Sequence, residues 1–133
     1  MAEQTLFIVK PDAVRRGLTG QIIARFEQKR FVLARLKLFR FTREQAEEFY
    51  AVHRDRPFFG ELVDFVVSGN VVAAVIEGHN AIATVRIMVG ATKSFEAAPG
   101  SIRGDFGLGF TDNIIHASDS IESFAHEARV AFQ

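Results

Sequence analysis

Hydrophobic residues recur along the chain with two different spacings, and these predict where strands and helices lie. Two short runs, residues 4–10 and 71–78, are almost entirely apolar and rich in β-branched or aromatic side chains, which indicates buried strands. Residues 31–41 alternate between apolar and polar positions, which indicates a strand with one wetter face. A last short strand is predicted over residues 112–117.

Between these strands, apolar positions repeat every three to four residues, as they do in amphipathic helices. The stretch 41–50 begins a helix with a capping box, in which Thr42 is the N-cap and Gln45 stands three residues later. The helix that follows Asn80 takes that residue as its N-cap and Gly90 as its C′ residue. Further helices are predicted over 19–30, between Pro57 and Ser68, and over 118–132, where Ile121, Phe124, Ala125 and Ala128 form the inward face.

This order of elements predicts an α+β fold, a ferredoxin-like sandwich in which a four-stranded antiparallel sheet carries helices on one face. The chain has 133 residues, of which 48% are hydrophobic, so a single domain over 1–133 is expected. Residues 91–112 contain four glycines and a proline and are predicted to form a long irregular loop. Loops of that length inside a compact domain are usually functional.

Composition and charge exclude several classes of protein. The chain carries 16 basic and 16 acidic residues, so a specific nucleic-acid partner is not expected. It contains no Cys, which excludes a disulfide framework and a thiolate metal site. The N-terminus does not resemble a signal peptide, and no apolar run approaches the roughly 20 residues needed to cross a bilayer. A cytoplasmic protein without a membrane partner is therefore expected.

Several polar residues stand where their local element does not require them. Arg86 is the one charged side chain in the apolar stretch 81–92, so it must reach solvent, a carboxylate or an anionic ligand. Lys10 ends the first strand, where it either faces a ligand or is simply exposed. Arg103 lies in the glycine-rich segment, which either approaches a ligand closely or makes a plain turn. Thr92 follows a helix end and could donate its hydroxyl to a phosphate.

Aromatic residues cluster after residue 49. Phe58 and Phe59 follow a proline at a helix start, and one of them could offer a flat face on which a base stacks. Packing of both rings in the core is the alternative. Tyr50, the one tyrosine of the chain, lies just upstream, and its hydroxyl could serve as a donor.

His116 differs from the other histidines because it lies at the end of a predicted strand, just before a predicted helix. A helix N-terminus favours an anion and keeps a nearby imidazole neutral, and therefore nucleophilic. Ser118 or Asp119 is the expected N-cap of that helix. The alternative is a structural histidine at an element boundary. No zinc-site spacing, Walker sequence, Rossmann fingerprint or GxSxG motif is present, so a metal held mainly by protein ligands is not expected.

Four stretches, taken in order, resemble the nucleoside diphosphate kinase family: KPDAVRRGLTGQII, RPFFGELVDFVVSG, GSIRGDF and NIIHASDS. The resemblance extends from about Thr5 to about Phe132 and implies the ferredoxin-like fold. It also implies ping-pong transfer of the γ-phosphate from a nucleoside triphosphate, mainly ATP, to nucleoside diphosphates through a phosphohistidine. Broad base specificity, maintenance of NTP and dNTP pools, and Mg²⁺ as cofactor are further implications.

The same resemblance assigns roles to individual residues. His116 matches the phosphorylated nucleophile, and Glu127, with Ser118 beside it, matches the carboxylate that orients the ring. Asp119 resembles a residue near the metal-bound water, so Mg²⁺ is expected on the nucleotide phosphates and not directly on the protein. The nucleotide-binding matches are Lys10, Tyr50, Phe58, Arg86, Thr92, Arg103, Phe110 and Asn113. Members of the family are tetramers or hexamers built from dimers, so a homo-oligomer of either kind is implied.

The chain departs from the usual family pattern at four positions. Ala117 and Ala13 replace glycines; if position 117 requires positive φ, alanine there costs on the order of 1 kcal/mol. Ser94 replaces a proline in a loop that contacts neighbouring subunits in many members. Phe110 stands where a smaller aliphatic residue often closes over the base. Two other functions stay open: a non-catalytic nucleotide-binding or regulatory domain, and an interaction module without a ligand.

Overall fold

The computed structural model describes residues 2–133, and its centre is a four-stranded antiparallel sheet with the order β2-β3-β1-β4. The strands are β1 (Glu3–Val9), β2 (Val32–Phe39), β3 (Val71–Gly78) and β4 (Ile115–Ala117). β1 lies between β3 and β4, and β2 forms one edge. The predicted fold class, an antiparallel α+β sandwich of the ferredoxin-like type, is confirmed.

Seven α-helices connect and cover the strands: α1 (Pro11–Arg15), α2 (Thr19–Gln28), α3 (Arg43–Phe49), α4 (Phe59–Val66), α5 (Ala81–Val89), α6 (Ile102–Phe106) and α7 (Ile121–Ala131). The short helices α1 and α6 were not predicted. Because α6 and a 3₁₀ turn at Ser94–Glu96 lie within 91–112, the prediction of an irregular loop there was wrong in part. Among the helices of residues 2–133, none is both long enough and apolar enough to cross a membrane.

Helices cover both faces of the sheet, so the prediction of one covered face was wrong. In β1, Phe7 and Val9 belong to a core cluster with α1, α2, α5 and α6, whereas Leu6 and Ile8 belong to a second cluster with α3, α4 and α7. All four side chains are buried. A strand that is apolar on both faces needs helices on both sides to exclude water.

The ends of the helices follow the predictions in two cases. Thr42 and Gln45 form the full capping box, and Gly90, with φ of 93°, closes α5. Asn80 occupies the N-cap position of α5, but its side chain makes no capping hydrogen bond. The Ile82 amide is instead capped by Glu3 Oε1 at 2.8 Å, because the fold brings the start of β1 to this helix end.

The region around His116 differs from its prediction in two ways. β4 begins at Ile115 and not at residue 112, since Ile114 has φ of 76° and cannot continue a strand. α7 is capped by Ser120, whose hydroxyl accepts the Ser123 amide, so neither Ser118 nor Asp119 is the N-cap.

The inward face of α7 was also predicted only in part. Phe124 and Ala128 pack against the core, but Ile121 is 65% exposed and Ala125 is exposed as well. The buried residues of the helix gather at its C-terminal end, at Val130 and Ala131.

Candidate active site

One cleft of about 290 Å³ gathers the candidate residues from distant parts of the chain. It lies where the ends of β1, α3 and α5 meet β4, α4, α7 and the segment 91–112. The sequence-predicted residues that line it are Lys10, Tyr50, Phe58, Arg86, Thr92, Arg103, Phe110, Asn113, His116, Asp119 and Glu127. Ser118 does not line the cleft and is fully buried behind it.

The His116 ring is held by a carboxylate, that of Glu127. It stands opposite Ile8 in the β4–β1 pair, and its Nε2 lies 2.9 Å from Glu127 Oε1. The Ser118 hydroxyl donates to the same oxygen at 2.7 Å. β4 supplies the histidine and α7 the carboxylate, so the packing of this helix sets the orientation of the ring. Since Nε2 faces Glu127, Nδ1 is the nitrogen that is free to react.

The ionisation of Glu127 follows from these contacts. Burial alone raises the pKa of this carboxyl, but attraction to the His116 ring and the hydrogen bonds from His116 and Ser118 outweigh burial. Its pKa therefore lies below the usual value. An ionised Glu127 accepts a hydrogen bond from the protonated Nε2. It thereby favours the tautomer in which Nδ1 carries the lone pair.

Two arginines bring positive charge to the cleft. Arg86 Nη1 donates to the Ala117 carbonyl at 3.1 Å, and within residues 2–133 no carboxylate lies at salt-bridge distance from it. Arg103 is only 4% exposed and donates to the carbonyls of Gly90, Asn113 and Ile115 at 3.0, 3.2 and 2.6 Å. Burial, and then repulsion by Arg86, lower its pKa to about 10, so it remains charged near neutral pH.

Lys10 is buried, so the alternative of a simply exposed strand-end lysine was wrong. Its Nζ donates to Asn113 Oδ1 at 2.8 Å and to the Thr111 carbonyl at 3.3 Å. Asn113 Nδ2 in turn donates to the Thr92 carbonyl at 2.9 Å, so three of the candidates form one network. Burial, and then the charge of Arg103, lower the pKa of Lys10 to about 7.

Aromatic rings form the outer wall of the cleft. Phe58 and Phe110 face each other with ring centroids 6.4 Å apart and planes tilted by 44°. Phe110 is 45% exposed. Deeper in the cleft, the buried Tyr50 ring lies 6.1 Å from the His116 ring, and burial, followed by Glu127, raises the pKa of Tyr50. Tyr50 therefore stays protonated and can donate.

Several lining residues were not predicted: Phe49, Val52, His53, Leu62, Thr111, Ala117 and Ser123. The apolar members look like ordinary helix residues in the sequence. His53 follows Tyr50 by three residues and its ring packs 5.5 Å from that of Phe58. The three-residue spacing from Tyr50 was the signal in the sequence that could have identified His53. Burial, and then the charges of Arg56 and His116, lower the pKa of His53.

The backbone accommodates the residues that depart from the usual family pattern. Ala117 lies in β4 opposite Phe7 and is not among the residues with positive φ, so alanine carries no conformational cost there. Ala13 lies within α1 and is fully buried in the core. Ser94 is buried at the start of a 3₁₀ turn, and its hydroxyl makes no hydrogen bond within residues 2–133.

Among the cleft-lining residues, Glu127 is bound by His116 and Ser118, which leaves one carboxylate for a cation. Asp119 lines the cleft and accepts the Ser123 hydroxyl at 2.7 Å, and this bond is the main cause of its lowered pKa. In residues 2–133 no three His, Asp or Glu side chains are grouped so that they could hold a metal ion. A single ionised carboxylate suits a hydrated Mg²⁺ that is held mainly by phosphate oxygens.

Comparisons of the sequence with known proteins point to one family. A profile of the family described as nucleoside diphosphate kinase matches residues 3–133. The nucleoside diphosphate kinase of Picrophilus torridus is 53% identical over 130 residues, which cover 98% of this chain and 94% of the relative. That of Staphylothermus marinus is 53% identical over 131 residues, covering 98% and 93%.

Solved structures resemble the whole fold. The crystal structure of the Aquifex aeolicus nucleoside diphosphate kinase superimposes with a TM-score of 0.96 at 53% identity, covering 100% of this chain and 96% of that one. The Halobacterium salinarum enzyme, solved in complex with CDP, gives 0.94 at 44% identity, covering 98% and 87%. The match of fold and sequence over the entire described chain means that this protein belongs to the nucleoside diphosphate kinase family.

Proposed function

We propose that this chain, as a single domain over 1–133, transfers the γ-phosphate of a nucleoside triphosphate to a nucleoside diphosphate through a phosphohistidine at His116. The observation that carries the proposal is the 2.9 Å contact between His116 Nε2 and Glu127 Oε1, at the base of a cleft lined by Arg86, Arg103 and Lys10. A neutral imidazole with one nitrogen fixed is a nucleophile that can be phosphorylated and dephosphorylated in turn.

In the first half-reaction, the lone pair of His116 Nδ1 attacks the γ-phosphorus. The bond from this phosphorus to the β–γ bridging oxygen breaks, and its electron pair leaves with the nucleoside diphosphate. The proton on Nε2 stays in place, and the Glu127 carboxylate stabilises the positive charge that develops on the ring. In the second half-reaction, a β-phosphate oxygen of a different diphosphate attacks the same phosphorus and the imidazole leaves.

Charge and position account for most of phosphoryl transfer, and the cleft supplies both. We assign the phosphates to Arg86, Arg103, Thr92 and Tyr50, which come from separate elements and converge on His116. Mg²⁺, when bound on the phosphates, supplies further positive charge against their oxygens. Asp119 is the residue that would hold it, through water.

The nucleoside would lie towards the mouth of the cleft. Lys10 and Asn113, joined at 2.8 Å, are assigned to the ribose hydroxyls. The base is assigned to the slot between Phe58 and Phe110, whose ring centroids are 6.4 Å apart. Every base has a π-face, so stacking between two rings favours broad base specificity. ATP would be the main donor because it is the most abundant triphosphate, and the cytoplasmic role would be to maintain NTP and dNTP pools.

We also propose a homo-oligomer, a tetramer or hexamer built from dimers. Support comes from the edge strand β2, where Val32, Leu36 and Leu38 are 64%, 52% and 64% exposed. An edge strand with exposed apolar side chains is a surface that natural proteins usually cover. Sizing of the purified protein together with light scattering would decide between the two assemblies.

The test of the catalytic proposal is covalent labelling. The protein is incubated with γ-labelled ATP and Mg²⁺ and freed of nucleotide, and acid-labile, base-stable label is measured. The wild type and His79→Ala, which removes an exposed histidine outside the cleft, are expected to carry label. His116→Ala is expected to carry none. Equal label on His116→Ala would refute the phosphohistidine, and nucleotide binding without any label would favour a non-catalytic domain.

A further inference from the structure

Two residues before His116, the backbone takes a conformation that β-branched residues rarely adopt. Ile114 has φ of 76°, and the Ile115 amide donates to the Asn113 carbonyl at 2.8 Å. This hydrogen bond, with positive φ at the middle residue, defines a strained γ-turn. Glycine would take the conformation freely, but isoleucine does so only where the surroundings hold it.

The segment that opens α1 holds both backbone groups of Ile114. Asp12 Oδ2 accepts the Ile114 amide at 3.1 Å, and the Lys10 amide donates to the Ile114 carbonyl at 2.9 Å. The first of these bonds comes from a side chain, so it depends on the identity of residue 12. Arg103 binds the two flanking carbonyls, those of Asn113 and Ile115. Hydrogen bonds therefore hold all three carbonyls of the turn and the amide of Ile114.

Asp12 is an energetically unfavourable residue at this position. It is not among the residues that line the cleft, so substrate contact does not explain it. Its second oxygen, Oδ1, is buried and makes no hydrogen bond within residues 2–133. Burial raises the pKa of this carboxyl, which means that the folded protein disfavours its charge. A residue that costs stability in this way is best explained by the bond it makes to Ile114.

The turn is well placed to affect the reaction. On one side it delivers Asn113, whose Oδ1 contacts Lys10, and on the other side it leads directly into β4 and His116. β4 has only three residues, so its own ladder of hydrogen bonds is short. If Ile114 relaxed to negative φ, the chain would leave the turn in another direction and His116 would shift relative to the cleft.

We propose that Asp12 is a positioning residue for phosphoryl transfer: its carboxylate holds the Ile114 γ-turn, and the turn aims His116 at the phosphate. The inference rests on the proposed function, because it takes His116 to be the residue that is phosphorylated. The competing explanation is that Asp12 acts by its charge, at the N-terminus of α1 or beside Lys10.

A matched pair of variants separates geometry from charge. Asp12→Asn keeps an acceptor oxygen in the same place but removes the charge. Asp12→Glu keeps the charge but moves the carboxylate by one methylene. The readout is the single-turnover rate at which γ-labelled ATP with Mg²⁺ phosphorylates the enzyme, with Tm measured on the same samples.

Asp12→Asn is expected to label within roughly threefold of the wild-type rate, since a neutral acceptor retains about half the strength of a charged one. Asp12→Glu and Asp12→Ala are expected to label roughly 10- to 100-fold more slowly, because a displacement of about 1 Å costs that much. A fast Asp12→Glu with a slow Asp12→Asn would overturn the proposal in favour of charge. Equal rates for all variants would overturn it too.

A second variant tests the turn itself. In Asp12→Ala/Ile114→Gly, glycine takes positive φ without the carboxylate, so the labelling rate is expected to recover on the order of tenfold over Asp12→Ala. Tm is expected to fall, because the buried Ile114 side chain is lost. If the labelling rate of the double variant falls together with its Tm, Asp12 serves only stability and the proposal is overturned.

The other possible results also distinguish the role of Asp12 from the phosphohistidine mechanism. If Asp12→Ala does not fold, the Asn and Glu variants decide the question. A wild type that takes no label contradicts the phosphohistidine mechanism itself. A wild type that takes label, with rates that are insensitive to residue 12, contradicts only the role of Asp12.

Discussion

Replacing Lys10 by methionine should change how the stability of this protein depends on pH. The Lys10 ammonium is buried beside Arg103, and its pKa falls from 10.5 to about 7. The unfolded chain therefore binds a proton at residue 10 that the folded chain has lost, over the range from about pH 7 to about pH 10.5. Stability rises with pH wherever the unfolded state binds more protons. The folded protein carries the full cost of a buried charge below pH 7 and loses that cost as pH rises.

The size of the effect follows from the shift. One pKa unit corresponds to about 1.4 kcal/mol, so raising the pH from 6 to 9 should add about 2.5 kcal/mol to the free energy of unfolding through Lys10 alone. Lys10→Met keeps the apolar stem and removes the titrating group, so this part of the pH response should vanish. Other titrating groups, such as His53, respond in both proteins and cancel in the comparison.

The assay is urea unfolding at pH 6 and pH 9, at one protein concentration, for the wild type, Lys10→Met and Lys29→Met. The last variant removes an exposed lysine at the end of α2 and controls for the loss of one positive charge. The stability gain between the two pH values should be smaller in Lys10→Met than in the wild type by about 2.5 kcal/mol. An equal gain in both proteins would mean that the Lys10 charge is solvated in the folded state, and the reasoning from burial would be wrong.

Three further predictions follow from particular contacts. Glu127→Gln should slow phosphorylation of His116 by roughly 10- to 100-fold with little loss of nucleotide affinity, since the carboxylate stabilises the ring and not the substrate; an unchanged single-turnover rate would contradict this. Phe110→Val should weaken purine and pyrimidine nucleotides alike, by about 1 kcal/mol in calorimetric titrations, because it removes one stacking face; unchanged affinities would exclude stacking on this ring. Arg30→Gly should raise the free energy of unfolding by about 1 kcal/mol, as Arg30 has φ of 80° in a Schellman end to α2; lower stability in urea would refute it.

Much of the fold could be read from local patterns. β1 and β3 each contain a run of consecutive apolar residues, 6–9 and 71–76, and the capping box at Thr42 needs only residues that are near one another in the chain. The helix over 102–106 was missed because it has only five residues, with glycine and aspartate inside, which is too short to show a helical repeat. What stabilises that helix is Ser101, whose hydroxyl caps the Gly104 amide, together with the buried Ile102.

The covering of both sheet faces could have been inferred but was not. The consecutive apolar residues 6–9 and 71–76 already require it, because they point alternately to the two faces, whereas the order of the elements does not reveal it. The start of β4, in contrast, could not have been inferred from local sequence. Nothing in the local sequence indicates that Ile114 takes positive φ, because the cause is a carboxylate 102 residues away, that of Asp12.

The sequence by itself determined the order of the main strands and helices, the buried strands and, through the family resemblance, the residues expected at the site. It did so because hydrophobic periodicity and short motifs act over a few residues, within one helix or strand. The tertiary structure decided what those residues do to one another: that Lys10 is buried, that Ser118 binds Glu127 instead of capping a helix, and that Glu127 reaches His116 from α7. These are matters of burial and of contact between distant segments, which the packing of β1, β4 and α7 sets and local sequence does not.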